Sequence, residues 1–499
     1  MGAATPKCAS TGFLQSNKND AQETTKIKIR AALFFDGTLN NEVNTTLGAT
    51  KTKAFITKNG SYGNDYTNVV FLKQNVNAGV KAGYDYYLEP IYTEGIGTND
   101  REEDDSDGYI SGTGLTGIKA KVDKAFETLK NTIKKEVSGS QNNNVEITEL
   151  RLDVFGFSRG AAAARHFVDV ALNGLKTVIY RTAVHGPQTI TMTKPNLADR
   201  LKFENYKIEK QAVKIKFVGL FDTVSSLNLE DIVSENSNVG ELGLDAISNA
   251  EKVFHIASAE ETRQNFALTN IKSAGSKGKE VFLPGVHSDI GGSYNDYEIE
   301  KIQVYDTDVI YITDSKYKEI EADINSLIKA GWFRREDIFY KDGSRHLRSE
   351  EDMKKAVNSN GEINIIRRGS LGMGIRNRYS RIPLQLMAEK ATEGGVTFYP
   401  KISKSADTFV DTSIPIMREA WLLLKGYING ASKPEDWQGN TLFSKSLRFD
   451  HLHFSAKYDE AYAVGVKIPF TNLHVEAVPL APNKPRYEDT IRKRKHHDG

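Results

Sequence analysis

A serine lies at the centre of Gly156-Phe157-Ser158-Arg159-Gly160, which matches the pattern G-x-S-x-G. The apolar run LDVFGF leads into this pattern, and the small residues AAAAR follow it. A strand before the serine and a helix after it are typical of a nucleophile elbow, where a strained turn exposes the serine hydroxyl. The two glycines allow the strand and the helix to approach closely. The pattern therefore predicts that Ser158 is a nucleophile; the alternative is a tight turn whose serine only caps the helix.

A nucleophilic serine needs a general base and an acid that orients this base. In α/β-hydrolases the three residues follow the chain order serine, acid, histidine. Asp222 directly follows the apolar run 217–221, which places a carboxylate at the end of a predicted strand. His287 lies in LPGVHSDIGGSY, after another apolar strand and before paired glycines. We therefore predict Asp222 as the acid and His287 as the base.

Other acidic and basic residues obey the same chain order and stay open as alternatives. Asp289 is a rival acid, although a role in forming the turn or orienting the loop is favoured. His255 is a second candidate base on a segment with a helix-like pattern, where a structural role is more common. His451 and His453 in FDHLHFS are weaker candidates that fit pocket lining or packing better.

Acyl-transfer chemistry also needs backbone amides that stabilise a developing oxyanion. Arg159, the residue after the serine, supplies one such amide. The second is expected on a loop after an early strand, and the turn Asp36-Gly37-Thr38 follows the apolar run 29–35. We expect the amide of Gly37 or Thr38 to point into the site. Asp36 either holds this loop by hydrogen bonds, helps to bind a metal, or only forms the turn.

The segments that carry these residues alternate between strand and helix patterns. Strand patterns occur at 29–35, 86–98, 147–157, 212–224 and at the start of 279–294. Helix patterns occur at 115–137, 158–172 and 414–428, and the segment 251–268 alternates into a helix. The stretch 381–391 is expected to return to the core together with 414–428. This order predicts an α/β fold of the α/β-hydrolase type, with a mostly parallel sheet and helices on both faces.

Charge and pattern change along the chain and suggest a division into segments. Residues 300–375 are charged and contain the helix pattern KYKEIEADINSLIKAGW, which predicts an insertion or cap. The predicted segments are 1–25 (flexible N-terminus), 26–299 (hydrolase core), 300–375 (insertion or cap), 376–480 (remainder of the core) and 481–499 (basic tail).

Composition limits the class of protein. The chain has 499 residues, and its 66 Lys and Arg nearly balance its 65 Asp and Glu, which gives no general attraction to nucleic acid. A single cysteine, Cys8, excludes an intrachain disulfide and a cysteine-based zinc site. The chain has no apolar run typical of a signal peptide or a transmembrane helix. Any action on membranes is therefore expected from the surface.

Two charged runs could bind ions or lipids. The acidic run REEDDSDG fits an EF-hand loop poorly, because Gly114 stands where the bidentate glutamate belongs. We expect a solvated loop there and predict no metal or other cofactor. The basic run RKRKHH is also expected to be solvated, with contact to anionic lipid headgroups as the alternative.

Six segments resemble, in order, the motifs of the GxSxG-class phospholipase effectors of bacterial type VI secretion. They are FFDGTLNN, YTEGIGT, GFSRGAAAAR, GLFDTVSS, HIASAEETRQNF and LPGVHSDIGGSY. The resemblance covers about residues 28–295, with weaker echoes in RIPLQLM and HLHFSAKYD. Six ordered motifs are far more specific than the serine pattern alone.

This resemblance implies an α/β-hydrolase whose Ser-Asp-His triad hydrolyses glycerophospholipids of a competitor's membrane. Matched motif by motif, the serine is Ser158, the acid is Asp222 and the histidine is His287. It also implies an antibacterial toxin made in the bacterial cytoplasm and delivered by the secretion apparatus to the target-cell periplasm, with a paired immunity protein. The alternatives are an esterase of small soluble esters and a non-catalytic binding protein that keeps the hydrolase fold.

Overall fold

The structure is a computed structural model. It describes residues 24–137, 144–183, 186–225, 238–304, 314–340, 345–347, 349–358, 363–431, 433, 437–438, 441–456, 461–464, 477–480, 486–488 and 491–499. The predicted flexible segment 1–25 therefore lies almost wholly outside the described residues.

The described residues form twenty strands, and eight of these strands make a parallel sheet at the centre of the fold. In chain order the strands are β1 (Thr25–Phe35), β2 (Tyr86–Tyr87), β3 (Ile91–Thr93), β4 (Val145–Phe157), β5 (Leu175–Ala183), β6 (Gly186–Lys194), β7 (Lys207–Ile208), β8 (Val213–Phe221), β9 (Lys252–Ser258), β10 (Leu268–Thr269), β11 (Gly278–Leu283), β12 (Glu300–Gln303), β13 (Ile338–Tyr340), β14 (Arg345–His346), β15 (Ile363–Arg367), β16 (Ala461–Val464), β17 (Ala477–Leu480), β18 (Tyr487–Glu488), β19 (Ile491–Arg492) and β20 (His496–His497). The sheet order is β11-β9-β8-β4-β1-β2, with β3 also paired to β1 and β7 to β4. Every pairing in this sheet is parallel, which confirms the predicted mostly parallel sheet.

Helices lie on both faces of this sheet, and two further helices, Asp314–Ala330 and Glu350–Asn358, belong to the region 300–375. In chain order they are α1 (Glu42–Gly48), α2 (Lys53–Lys58), α3 (Asn68–Asn75), α4 (Ser106–Ser111), α5 (Ile118–Val137), α6 (Arg159–Asn173), α7 (Leu197–Lys202), α8 (Val239–Leu242), α9 (His287–Gly291), α10 (Asp314–Ala330), α11 (Glu350–Asn358), α12 (Arg381–Glu393), α13 (Pro415–Ile428) and α14 (Thr441–His451). Short 3₁₀ helices lie at Gly60–Tyr62, Gly114–Thr116, Lys210–Ala212, Leu244–Asn249, Lys272–Lys277, Arg335–Asp337, Asn377–Ser380 and Pro400–Ser403.

Each face of the sheet is covered by its own cluster of buried apolar side chains. On one face α6 packs against β1, β4 and β8, and α5 packs against α6 and β3. The apolar side chains of α5 repeat at helical spacing and are buried, as the sequence predicts. On the other face α3 contacts β1 and β4, while α12 contacts β8 and β9 and carries α13. Burial on both faces explains why the central strands are almost continuously apolar.

The region 300–375 forms its own antiparallel sheet, in the order β12-β15-β13-β14. Ile324 of α10 and Ile365 of β15 are buried in the same apolar cluster as Leu384 of α12 and Leu424 of α13. The region therefore packs onto the core through a shared interior. Its function as a cap stays a prediction, as do the segment boundaries.

Two predicted elements differ from the structure. Residues 251–268 begin as strand β9, and no helix follows before β10 at Leu268. The sequence of this segment does not distinguish a strand from a helix, because β9 lies between β8 and β11 and is buried on both faces. A strand buried on both faces lacks the alternation of apolar and polar residues that identifies a half-exposed strand. The predicted glycine-rich loop after β11 begins with the short helix α9.

The predicted basic tail is only partly solvated where its final residues are described: Lys493 and His496 are exposed, whereas Arg494 is buried. Strand β20 pairs in parallel with β10, and Arg494 is only 8% exposed. The expectation of a solvated run is wrong for Arg494, because pairing of the neighbouring backbone carries its side chain inward.

None of the helices within the described residues combines the length and apolarity needed to cross a membrane.

Candidate active site

The turn at Ser158 joins the end of β4 to the start of α6. Ser158 has φ 58° and ψ −131°, a conformation that costs a non-glycine residue about 1–3 kcal/mol and is common at functional sites. A Cβ at Gly156 would lie 2.5 Å from the Gly160 carbonyl oxygen, and a Cβ at Gly160 would lie 2.1 Å from the Asp36 carbonyl oxygen. Glycine is therefore required at both positions of the pattern.

Asp222 is held beside this turn by the pairing of β4 with β8. Phe157 and Phe221 are partners in register, and the Ser158 amide donates to the Phe221 carbonyl at 3.0 Å. Asp222 follows directly, has φ 44° and is fully buried. Adjacent parallel strands thus bring the predicted nucleophile and the predicted acid to one edge of the sheet.

His287 begins α9 and lies against Asp222. The ring Nδ1 lies 2.5 Å from Asp222 Oδ2. An ionised carboxylate can only accept, so Nδ1–H donates this hydrogen bond and Nε2 is the nitrogen left for another partner. The imidazole packs between Phe157 and Phe266, with ring centroids at 4.6 and 4.9 Å. Its backbone amide donates to Glu261 Oε2 at 3.3 Å.

The ionisation of this pair suits a base and its orienting acid. Burial alone raises the pKa of Asp222, but the Arg494 charge and the His287 hydrogen bond outweigh it and hold the pKa well below its usual value. Burial lowers the pKa of His287, although Asp222 acts in the opposite direction. At neutral pH the carboxylate is therefore ionised and the imidazole is neutral.

Ser158 itself is 6% exposed. Among the described residues no hydrogen bond joins its hydroxyl to His287, although the ring of the preceding residue, Phe157, contacts the imidazole in a tilted arrangement. Hydrogen bonds between a nucleophile and its base often form fully only when substrate is bound.

Asp289 binds a different histidine. Its Oδ1 lies 2.8 Å from His453 Nδ1, and its Oδ2 accepts the backbone amides of Val286 and His453, both at 3.0 Å. The His453 ring stacks on Tyr294 at 3.7 Å. Asp289 thus fixes the start of α9 and ties it to His453, whereas Asp222 contacts the predicted base.

The other candidate histidines lie in different surroundings. His255 is on β9, and its Nε2 lies 3.1 Å from the Thr223 amide while its Nδ1 lies 2.8 Å from Glu280 Oε2. Both of its ring nitrogens therefore have hydrogen-bond partners, namely Thr223, the residue after Asp222, and Glu280. His451 ends α14, and its Nδ1 is buried with no hydrogen-bond partner among the described residues.

The loop after β1 is held by Asp36. Its carboxylate accepts from the Gly37 amide at 2.8 Å, Thr67 Oγ1 at 2.7 Å and the Tyr92 hydroxyl at 2.6 Å. Burial raises its pKa to about 6. These bonds match the expected loop-holding role, and the engaged amide argues against Gly37 as an oxyanion donor.

Two backbone amides near the elbow fit the oxyanion role better. The Thr38 amide makes no hydrogen bond to another described residue. The Arg159 amide is in the first turn of α6, where amides have no partner within the helix. Arg159 Nε also donates to Thr38 Oγ1 at 2.9 Å, which joins the two segments.

Arg494 was not anticipated as a site residue. Its Nη1 lies 2.7 Å from Asp222 Oδ1 and its Nη2 lies 2.9 Å from Asp222 Oδ2. The sequence carries no local signal for this contact, because Arg494 lies within a basic run that resembles a solvated tail.

The acidic run at 101–108 uses its carboxylates within the fold. Glu103 pairs with Lys58 at 2.6 Å, and Asp105 accepts from Thr116 Oγ1 at 2.6 Å. In the part of the chain that the structure describes, no three His, Cys, Asp or Glu side chains form a group that could hold a metal ion.

Comparisons with known proteins give one family. The family described as "T6SS, Phospholipase effector Tle1-like, catalytic domain" matches residues 30–313. No curated protein shows significant similarity to the chain.

Two solved structures resemble the fold. The Tle1 effector bound to the VgrG spike from the type VI secretion system is 20% identical, covers 99% of each chain and gives a TM-score of 0.60. An uncharacterised protein from Pseudomonas aeruginosa is 17% identical, covers 82% of this chain and 51% of that one, and gives a TM-score of 0.36. At these identities the first likeness supports the α/β fold.

Proposed function

Because the chain belongs to the Tle1-like phospholipase effector family of type VI secretion, we propose that it hydrolyses carboxylic esters of membrane glycerophospholipids. Ser158 is the nucleophile, His287 the general base and Asp222 the acid that orients it. The observation that carries this proposal is the contact of 2.5 Å between His287 Nδ1 and Asp222 Oδ2, next to the strained turn of Ser158.

In the acylation step Ser158 Oγ attacks the ester carbonyl while His287 Nε2 takes the hydroxyl proton. The amides of Arg159 and Thr38 stabilise the negative oxygen of the tetrahedral intermediate. The ester C–O bond then breaks, and the lysophospholipid leaves with the proton from His287. The acyl chain remains on Ser158.

In the second step His287 removes a proton from water, which attacks the acyl ester. The released fatty acid frees Ser158, and His287 returns the proton to the serine oxygen. Asp222 stays ionised throughout and stabilises the imidazolium that forms twice in each cycle.

Family membership also supports a route of delivery. We propose synthesis in the bacterial cytoplasm, transport by the type VI apparatus and action on lipid in the target-cell periplasm, with an immunity protein in the producing cell. The similar Tle1 effector is bound to the VgrG spike, which makes a spike protein the first partner to test.

Product analysis tests the reaction. Vesicles of one mixed-chain phosphatidylglycerol should yield lysophospholipid and free fatty acid with the natural protein, and neither product with Ser158→Ala. Hydrolysis of a dispersed short-chain ester, measured in parallel, separates a lipase from an esterase of small soluble substrates. Full activity of Ser158→Ala, or release of the headgroup without fatty acid, would contradict the proposal.

A further inference from the structure

The Asp222 carboxylate lies between two basic side chains. His287 Nδ1 approaches Oδ2 on one side, while Arg494 contacts both oxygens at 2.7 and 2.9 Å. The amide of Ser258 donates to Oδ1 at 2.8 Å. Asp222 is fully buried, so these groups replace the water that an ionised carboxylate would otherwise bind.

Backbone pairing fixes the position of Arg494. The Leu268 amide donates to the Lys495 carbonyl at 2.9 Å, and β20 continues this pairing with β10. Arg494 Nε donates to the Phe266 carbonyl at 2.6 Å, and Nη1 also donates to Ser258 Oγ at 2.9 Å. The guanidinium is therefore fixed by contacts with Phe266 and Ser258 in addition to its contacts with the Asp222 carboxylate.

We propose that Arg494 is a positioning residue, which holds the Asp222 carboxylate in the orientation that aligns His287. The final described segment, 491–499, thus completes a site whose acid lies 272 residues before Arg494 in the chain. This inference rests on the proposed function of Ser158, His287 and Asp222.

The chemistry of the guanidinium explains why an arginine serves here. Its planar fork matches both oxygens of a carboxylate, whereas a lysine ammonium is a single point charge. A carboxylate fixed in plane directs one oxygen at His287 Nδ1. The positive charge also offsets the attraction of Asp222 for a proton on the imidazole, which keeps His287 available as a base at lower pH.

Other charges face the pair and must stay constant in a test. Glu261 and Arg263 lie near His287 and bind each other at 2.7 Å, so their charges largely offset. His496 interacts with Asp222 from β20 and also with Arg494. Substitution of Arg494 alone leaves these groups in place.

The test compares Arg494→Gln, Arg494→Lys and the neighbouring exposed control Lys493→Gln in the full chain. Each is measured for kcat, KM and the pH profile of kcat/KM on phosphatidylglycerol vesicles. We expect Arg494→Gln to lose about 100-fold in kcat, the scale of a small misplacement of reacting groups, with little change in KM. Its acid limb should move to higher pH. Arg494→Lys should be intermediate, and Lys493→Gln should match the natural protein.

The outcomes separate this inference from the proposed function. If Ser158→Ala is inactive but Arg494→Gln keeps the natural kcat and acid limb, the positioning role is wrong and the proposed function stands. If Ser158→Ala is active, the proposed function fails. An equal loss in Lys493→Gln would point to general charge and overturn the inference. If circular dichroism shows that Arg494→Gln does not fold, the Arg494→Lys variant tests the inference instead. A kcat and a pH profile equal to those of the natural protein in Arg494→Lys would overturn the bidentate role of Arg494.

Discussion

At the scale of single residues, two buried carboxylates each bind one histidine. Asp222 contacts His287, and Asp289 contacts His453 and the backbone at the start of α9. The first pair lies beside the Ser158 turn, and the second fixes the segment that carries His287. The two carboxylates therefore differ in what their loss should change.

Asp222→Asn should lower kcat by about 10³–10⁴-fold, because a neutral amide no longer stabilises the imidazolium or its tautomer. Asp289→Asn should keep kcat within about tenfold but lower the melting temperature, because a buried charged hydrogen bond to His453 is lost. Steady-state kinetics and thermal unfolding of both variants check this. A larger kcat loss in Asp289→Asn than in Asp222→Asn would exchange the two roles.

The sequence singled out Ser158, Asp222 and His287 because each follows a predicted strand within a recognisable local pattern, and the structure brings His287 into contact with Asp222. It could not choose between the amides of Gly37 and Thr38, since that choice depends on where the buried Asp36 directs its carboxylate. Arg494 was out of reach for a different reason. Its contact depends on the pairing of β20 with β10, which no short pattern encodes.

At the scale of elements, the elbow depends on close contact between α6 and the end of β1. A methyl group at Gly160 would lie 2.1 Å from the Asp36 carbonyl oxygen and 2.5 Å from that of Phe35. Neither backbone oxygen can move without displacing the turn at residues 36–38. Packing at this point therefore links stability to the geometry of the site.

Gly160→Ala should lower the free energy of unfolding by about 1–3 kcal/mol, the usual cost of overpacking, and should also reduce kcat. Gly240→Ala is the matched control, because a Cβ there meets no atom within 4 Å. Urea unfolding and vesicle hydrolysis give the two readouts. Equal stability of Gly160→Ala and the control would show that the close approach is not required.

Element type was predictable where one face of a segment is polar and not where both faces are buried. α5 shows a clear helical period because one side faces solvent. β9 lies inside the sheet, so its apolar residues gave no period that distinguishes strand from helix.

At the scale of the whole molecule, buried Arg367 links the region 300–375 to the segments around it. Arg367 pairs with Glu300 and donates to the backbone carbonyls of Trp332, at 2.8 Å, and Leu452, at 3.0 Å. Glu300 in turn accepts the amide of Ser455 at 2.8 Å. This network connects the antiparallel sheet to the segment that carries His453.

Arg367→Ala should lower the free energy of unfolding by about 3–5 kcal/mol, because it removes the ion-pair partner of Glu300, whose side chain is only 12% exposed. The exposed neighbour Arg368→Ala should cost no more than about 1 kcal/mol. Denaturant unfolding measures both. A change of similar size in the two variants would mean that 300–375 is not coupled to the core through this residue.

The most direct test of the account is where, and how fast, a fluorophosphonate probe reacts. Peptide mapping by mass spectrometry should place the adduct on Ser158, and His287→Ala should slow labelling by about 10³-fold or more because the base is lost. An adduct on another serine, or labelling of His287→Ala at the rate of the natural protein, would contradict the claim that His287 activates Ser158.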